Sequence, residues 1–240
     1  MSECRQAVIV AAGSGSRLAP LTDARPKCLV ELGGAPLIDS LLARLHDIGV
    51  RDVVVVAGYR SDEVRAYLAA RRGVDLSIDV VDNPAWAAGQ NALSLHAAAD
   101  QVRPPFLLLD GDLWLSPSLA ARLRAPDRMA VAPLRPGMVG TRAQLDGDAV
   151  VGLGPGGGHK TVNAASFSSA WWHAWFRPAL DALVAAGRTG DYYEAAVGDA
   201  LAAGAPPLGA VVAGEREWFE IDTPTDLAEA EKAFAGARAA

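Results

Sequence analysis

The chain has 240 residues, 51% of them hydrophobic and 21% charged, with a formal net charge of −6 and two cysteines. That is enough apolar material for one sizeable core, which excludes global disorder, and no apolar run approaches the ~20 residues of a membrane span. Cys4 and Cys28 cannot build a disulfide framework or a four-cysteine zinc site, and an acidic chain without a basic tract is a poor partner for nucleic acid. Met1 to Gln6 is polar and lacks a signal-peptide layout. The expectation is a cytoplasmic enzyme or small-molecule binder with no membrane partner, folded as a single domain over 1–240.

The elements alternate. Ala7–Ala11 is a continuous apolar run, as in a strand buried on both faces, and a Gly/Ser loop follows at Gly13–Ser16. Pro36 starts a helix with Leu37, Leu41, Leu42, Leu45 and Ile48 on one face and Gly49 as its stop. Val53–Val56 is a strand, Ser61 caps a helix to Arg72, and Leu76–Val81 is a third strand. Gln90–Ala99 reads as helix and Phe106–Leu109 as a fourth buried strand, ending at Asp110. This alternation predicts an α/β fold in three layers, a mostly parallel twisted sheet with helices on both faces.

The rhythm changes after about Arg128. Met129–Pro133 reads as a strand, and 137–158 as Gly-rich strands and loops extending from the sheet edge. The stretch 134–163 is therefore expected to form a small irregular substrate lobe. Ala164–Ser168 returns as a strand. Helices follow near Trp172–Ala186 and Asp191–Ala203, then strands Leu208–Val212 and Trp218–Ile221, then a closing helix from Pro224. The last six residues are expected to fray. Trp171, Trp172, Trp175 and Phe176 stand at helical spacing, which fits core packing or a subunit contact in a homodimer better than a stacking platform.

The segment Gly13-Ser14-Gly15-Ser16-Arg17-Leu18 after the first strand suggests a phosphate cradle, because glycines let backbone N–H groups approach anionic oxygens. A dinucleotide fingerprint would need a third glycine where Leu18 stands and an immediate helix. A P-loop would need Gly-Lys-Ser/Thr. What stands here instead is a long loop with Arg17 just after the glycines and Lys27 behind Pro26. Asp110 and Asp112 flank Gly111 at the carboxyl end of a buried strand, where ligands of open α/β sheets bind. Asp222 or Thr223 before Pro224 could cap the last helix.

These residues, with Leu32-Gly33-Gly34-Ala35-Pro36, Val56-Ala57-Gly58-Tyr59 and Glu220-Ile221-Asp222, resemble the signature of the nucleotidyltransferases that activate sugar phosphates, phosphocholine and phosphonates. The resemblance covers most of the chain and is weakest over 134–163. It implies a nucleotide-diphospho-sugar transferase-like fold and attack of an acceptor oxygen on the α-phosphorus of a triphosphate, with Lys27 and Arg17 as catalytic cations. It further implies that Ala11, Ala12 and Gly13 to Ser16, with Asn83, Gly89, Gln90, Asn91 and Asp110, bind nucleotide, and that Asp112 and Asp222 hold Mg²⁺. Ser94 sits one turn beyond Gln90 and Asn91.

Among such enzymes the compact length is most similar to bacterial phosphocholine and phosphonate cytidylyltransferases, which implies CTP. A backbone carbonyl at the amino edge of cytosine would then select it. For the acceptor, Tyr193 and Glu194 offer partial choline recognition, while Arg142, His159 and Lys160 offer anion contacts. The expected acceptor is a small anionic phosphonate such as phosphonoformate. Phosphocholine and a sugar 1-phosphate are the enzymatic rivals, and a catalytically silent nucleotide-binding regulator is the non-enzymatic one.

Overall fold

The computed structural model describes residues 3–71 and 75–238. β1 (Gln6–Ala11) leads through a short hairpin, β2 (Glu31–Leu32) and β3 (Ala35–Pro36), to α1 (Leu37–Asp47), β4 (Asp52–Ala57), α2 (Ser61–Ala70) and β5 (Ser77–Asp82). Next come α3 (Asn91–Ala97), β6 (Phe106–Asp110), β7 (Leu113–Leu115), α4 (Pro117–Leu123) and β8 (Arg128–Pro133), then β9 (Arg142–Asp146), β10 (Ala149–Leu153) and β11 (His159–Phe167). α5 (Ser169–Trp171) runs through a π turn, Trp172–Phe176, into α6 (Arg177–Ala185). α7 (Tyr193–Ala202), β12 (Leu208–Val212), β13 (Trp218–Glu220) and α8 (Pro224–Arg238) follow.

Among the described residues the main sheet has the order β5-β4-β1-β6-β11-β8-β12-β10-β9. β5, β4, β1 and β6 are mutually parallel, and so are β8 and β12. β11 and β10 run against their neighbours. The continuous apolar strands follow from burial on both faces. In β1, Ala7 and Ile9 join the core under α1, α2 and α4, whereas Val8 and Val10 join the core under α3, α6 and α7. The strand's period of two divides the side chains between the faces.

The irregular lobe is more ordered than its glycine content implies. β9 pairs with β10 and also with the start of β11, where His159 lies opposite Ala143. The far end of the sheet thus turns back on itself. β11 is correspondingly longer than expected.

Several boundaries differ from the sequence reading. Arg60, with φ of 52°, occupies the cap position expected for Ser61, and the expected end of that helix at Arg72 lies outside the described residues. α4 was not legible from its short apolar run, although its start carries a clear signal. Ser116 Oγ accepts the Leu119 N–H at 3.1 Å, with Pro117 in the first turn. α8 continues to Arg238 through the expected fray, and Ala239 and Ala240 lie outside the described residues.

A two-stranded ladder outside the main sheet matters most for the site. β7 and β13 pair antiparallel with Leu113 opposite Glu220, and the Ile221 N–H donates to the Asp112 carbonyl at 3.1 Å. This ladder joins segments over 100 residues apart in sequence and fixes the residues just before β7 against those just after β13.

The tryptophan cluster is core. Trp172 is 1% exposed and meets Phe106 edge-on at 5.2 Å, and the Trp171 indole N–H donates to the Pro206 carbonyl at 2.9 Å. Trp172→Ala should therefore cost ~3–5 kcal/mol of stability, read as a shift in the urea unfolding midpoint; a change below ~1 kcal/mol would contradict this packing.

Candidate active site

A cavity of about 660 Å³ opens where β1 and β6 end, walled by the loop from Ala12 to Arg17, by Trp86, Ala87, Gln90, Asn91 and Ser94, and by Asp110 to Asp112. The far wall is Val139 to Thr141, Asn163, Tyr192, Glu194 and Glu220.

The glycine loop is held from below. Gly15, at φ +67°, turns the chain into a 3₁₀ turn, and a Cβ there would come within 2.9 Å of the Lys27 side chain. Its carbonyl accepts from Thr22 Oγ1 and from the Leu18 N–H, both at 2.8 Å. Gly111 is required for a different reason: a Cβ would lie 2.6 Å from the Ala11 Cβ, so only glycine lets the end of β6 pass this close to β1.

Lys27 is at the centre. Its ammonium donates to Asp112 Oδ2 at 2.5 Å and to Asp222 Oδ1 at 2.6 Å, and its side chain is 13% exposed. Burial opposes its charge, but the two carboxylates outweigh this and hold the ammonium protonated well beyond the ordinary lysine range. Arg17, 60% exposed, reaches the same Asp222 oxygen at 2.9 Å. Asp222 does not cap α8. That task falls to Thr223, which exchanges hydrogen bonds with Asp226: the Thr223 N–H donates to Asp226 Oδ2 at 2.7 Å and Thr223 Oγ1 accepts the Asp226 N–H at 3.2 Å. Cys28, beside Lys27, is a buried filler whose thiol burial pushes up to about 12.

Asn91 was open to a reading as helix cap, yet Gln90 takes that position. The Asn91 amide instead donates to the Asp110 carboxylate at 3.2 Å and accepts the Tyr193 N–H at 2.9 Å, tying β6 to α7. Burial, then the nearby Asp112, Glu194 and Glu220 carboxylates, hold the Asp110 carboxyl well above its usual range, against the Asn91 bond.

The acceptor-side expectations need correction. Lys160 is buried, and its ammonium is spent on Glu220 Oε2 at 2.6 Å and on the Thr161 carbonyl at 3.1 Å. It also lies 5.1 Å from the centre of the Trp218 ring. His159 lies opposite Ala143 and Arg142 opposite Lys160 in the β11–β9 pairing, and neither His159 nor Arg142 lines the cavity. Tyr193 is turned into the core by the first turn of α7, and Tyr192 takes its place on the wall. Asn83 and Gly89 sit behind the wall, Gly89 against the Thr189 carbonyl.

Asn163 and Glu220 were the wall residues hardest to foresee. Asn163 Nδ2 donates to Glu220 Oε1 at 3.0 Å, and only the β11 and β13 registers bring them together. Trp86 packs so closely over Gly58 that a Cβ there would meet it at 2.4 Å.

The side chains facing the cavity set its charge. Asp110, Asp112, Glu194, Glu220 and Asp222 line it, against Arg17 and Lys27. Glu194 is 3% exposed; its Oε1 accepts from Thr161 Oγ1 at 3.4 Å, and its Oε2 has no partner among the described residues. Burial is the main force that lifts its pKa to about 7, with Glu220 adding and Lys160 opposing.

The donor set suits a divalent cation. Two carboxylates already converge on one cationic nitrogen, and the buried Asp112 Oδ1 has no partner among the described residues. Among the described residues no group of three or more His, Cys, Asp or Glu is arranged to hold a metal alone.

The family model described as the MobA-like NTP transferase domain matches residues 7–188. The chain is 33% identical to CMP-5'-(3-aminopropyl)phosphonate synthase of Streptomyces rubellomurinus over 97% of its own length, but spans only 39% of that protein. It is 33% identical to choline-phosphate cytidylyltransferase of Streptococcus pneumoniae over 46% of the chain and 45% of the relative. It is 35% identical to 2-aminoethylphosphonate cytidylyltransferase of Lancefieldella rimae over 41% of the chain and 39% of the relative. The chain thus spans less than half the length of these relatives. In fold it matches the CTP:phosphocholine cytidylyltransferase structure from Streptococcus pneumoniae with a TM-score of 0.80 at 22% identity, over 96% of this chain and 99% of that one. No helix among the described residues is long and apolar enough to cross a membrane.

The Glu194 environment can be read directly. In a ¹³C carboxyl NMR titration this residue should titrate near 7; a midpoint near the ordinary value of about 4.3 would contradict the geometry around its Oε2.

Proposed function

The chain belongs to the MobA-like NTP transferase domain family, and from that premise we propose that it moves CMP from CTP to the phosphonate or phosphate oxygen of a small acceptor. The observation that carries this reading is the meeting of Lys27, Asp112 and Asp222 at the mouth of the glycine loop. In the proposed step an acceptor oxygen forms a bond to the α-phosphorus, the bond from that phosphorus to the α–β bridging oxygen breaks, and pyrophosphate leaves. The acceptor is already an oxyanion, so positioning and cations dominate and a dedicated base is not needed.

Each residue then has a task. The backbone of Gly13 to Ser16 and the exposed Arg17 receive the β and γ phosphates, and Lys27 passes from the carboxylates to the α-phosphate. Asp112 and Asp222 would hold Mg²⁺, which supplies charge neutralisation for phosphate oxygens. The relatives favour CTP: three of those compared act in cytidylyl chemistry by name.

The acceptor side supports a cationic tail, not a second anion. A dianion such as phosphonoformate would face Glu194 and Glu220, with Lys160 already committed to Glu220. An ammonium group would satisfy the unpartnered Glu194 Oε2. Two of the relatives above are named for aminoalkylphosphonates, so an aminoalkylphosphonate is the acceptor this wall favours.

Pyrophosphate release across a panel of triphosphates and acceptors tests the proposal. CTP with an aminoalkylphosphonate should give the highest kcat/KM; a faster purine triphosphate, or faster turnover of phosphonoformate, would overturn it. Lys27→Ala should lower kcat by ~10²-fold or more with a smaller change in the KM for CTP, and a change confined to KM would remove its transition-state role. The KM for the amine acceptor should rise as the pH falls below about 7, because Glu194 then becomes neutral. Glu194→Gln should raise that KM by ~10-fold or more and flatten its pH dependence.

A further inference from the structure

One buried hydroxyl on the cavity wall has an enforced direction. Ser94, on α3, is 3% exposed and lines the same cavity as Ala11, Ala12 and Gln90. Its Oγ accepts from Asn83 Nδ2 at 2.9 Å. The orientation of that amide is not free, because Asn83 Oδ1 accepts the Ala85 N–H at 3.0 Å. An amide turned the other way would set its NH₂ group against the Ala85 N–H, donor facing donor. The Asn83 backbone is itself pinned: its N–H donates to the Ala57 carbonyl at 2.7 Å, and its carbonyl accepts the Trp86 N–H at 3.3 Å.

A serine hydroxyl has one proton and two lone pairs. With a lone pair turned to Asn83, the proton of Ser94 must point elsewhere, and among the described residues no protein group accepts it. The cavity wall therefore presents a donor whose polarity is set from behind.

We infer that Asn83 and Ser94 form a polarity relay that selects cytosine over uracil, with the Ser94 hydroxyl donating to the ring nitrogen N3 of the base. The inference rests on the cytidylyl reading above and deepens it. In cytosine N3 carries a lone pair and accepts, whereas in uracil N3 carries a proton and donates. A donor that cannot reverse meets an acceptor in the first case and another donor in the second. This differs from selection by a backbone carbonyl at the amino group of cytosine, because it resides in two side chains that can be exchanged.

The experiment measures Kd for CMP and UMP by calorimetry, and kcat/KM for CTP and UTP, in the parent chain, Ser94→Ala and Asn83→Asp. The CTP-to-UTP ratio within each variant is an internal control, since partial unfolding lowers both nucleotides equally. Ser94→Ala should lose roughly tenfold to hundredfold toward CTP and CMP, the scale of one buried hydrogen bond, while uridine nucleotides change less than about threefold. In Asn83→Asp a carboxylate replaces the amide NH₂. It draws the Ser94 proton toward itself and leaves a lone pair facing the cavity, so the preference for cytosine should narrow although the serine is intact. A Ser94→Ala variant that keeps the parent ratio, or weakens cytidine and uridine nucleotides equally, overturns the relay. A parent chain that prefers a purine nucleotide overturns the cytidylyl reading itself and the relay with it, and that failure is visible before any variant is made.

Discussion

One lysine ammonium between two carboxylates organises this protein. Asp112 follows β6 and Asp222 precedes α8, and nothing local relates them. The β7–β13 ladder carries them to the same point, and the Lys27 ammonium at 2.5 and 2.6 Å keeps like charges together there. Without that cation two carboxylates facing one nitrogen-sized space would repel and one would take up a proton. The glycines follow from the same constraint. Gly15 gives Lys27 room beneath the loop, and Gly111 lets β6 deliver Asp112 beside β1.

The acidic character of the cavity has a functional logic. A triphosphate does not enter a chamber lined by five carboxylates unless other positive charge accompanies it. On the proposed function, Lys27 holds the place that an ion–nucleotide complex would fill with its own cation, and its release from Asp112 and Asp222 would coincide with arrival of the phosphates. Farther in, the Lys160–Glu220–Asn163 cluster is held by charge-assisted bonds, which makes that wall rigid. Glu194 is the exception, with one oxygen unsatisfied.

The parallel half of the fold was legible because buried strands read as unbroken apolar runs and the helices between them show a period near 3.6. The glycine loop and Lys27 were legible as candidates from their positions, and Asp112 and Asp222 from the family resemblance, though only the β7–β13 register brings the carboxylates together. The acceptor wall was not. Lys160 and Glu220 lie 60 residues apart, and no local pattern states that one neutralises the other. The same limit applied to Tyr192 and Tyr193, where the start of α7 decides which ring faces the cavity. Asn83 was legible as a polar residue near the base, but its task of orienting Ser94 depends on the Ala85 N–H, a turn contact that sequence spacing leaves open.

The convergence of Asp112 and Asp222 on one cation is tested most directly by Mn²⁺ binding, followed by electron paramagnetic resonance with CTP present. The account predicts that the protein holds one Mn²⁺ more tightly than CTP alone does, and that Asp112→Asn and Asp222→Asn each abolish the gain. An undiminished gain in either variant would contradict it.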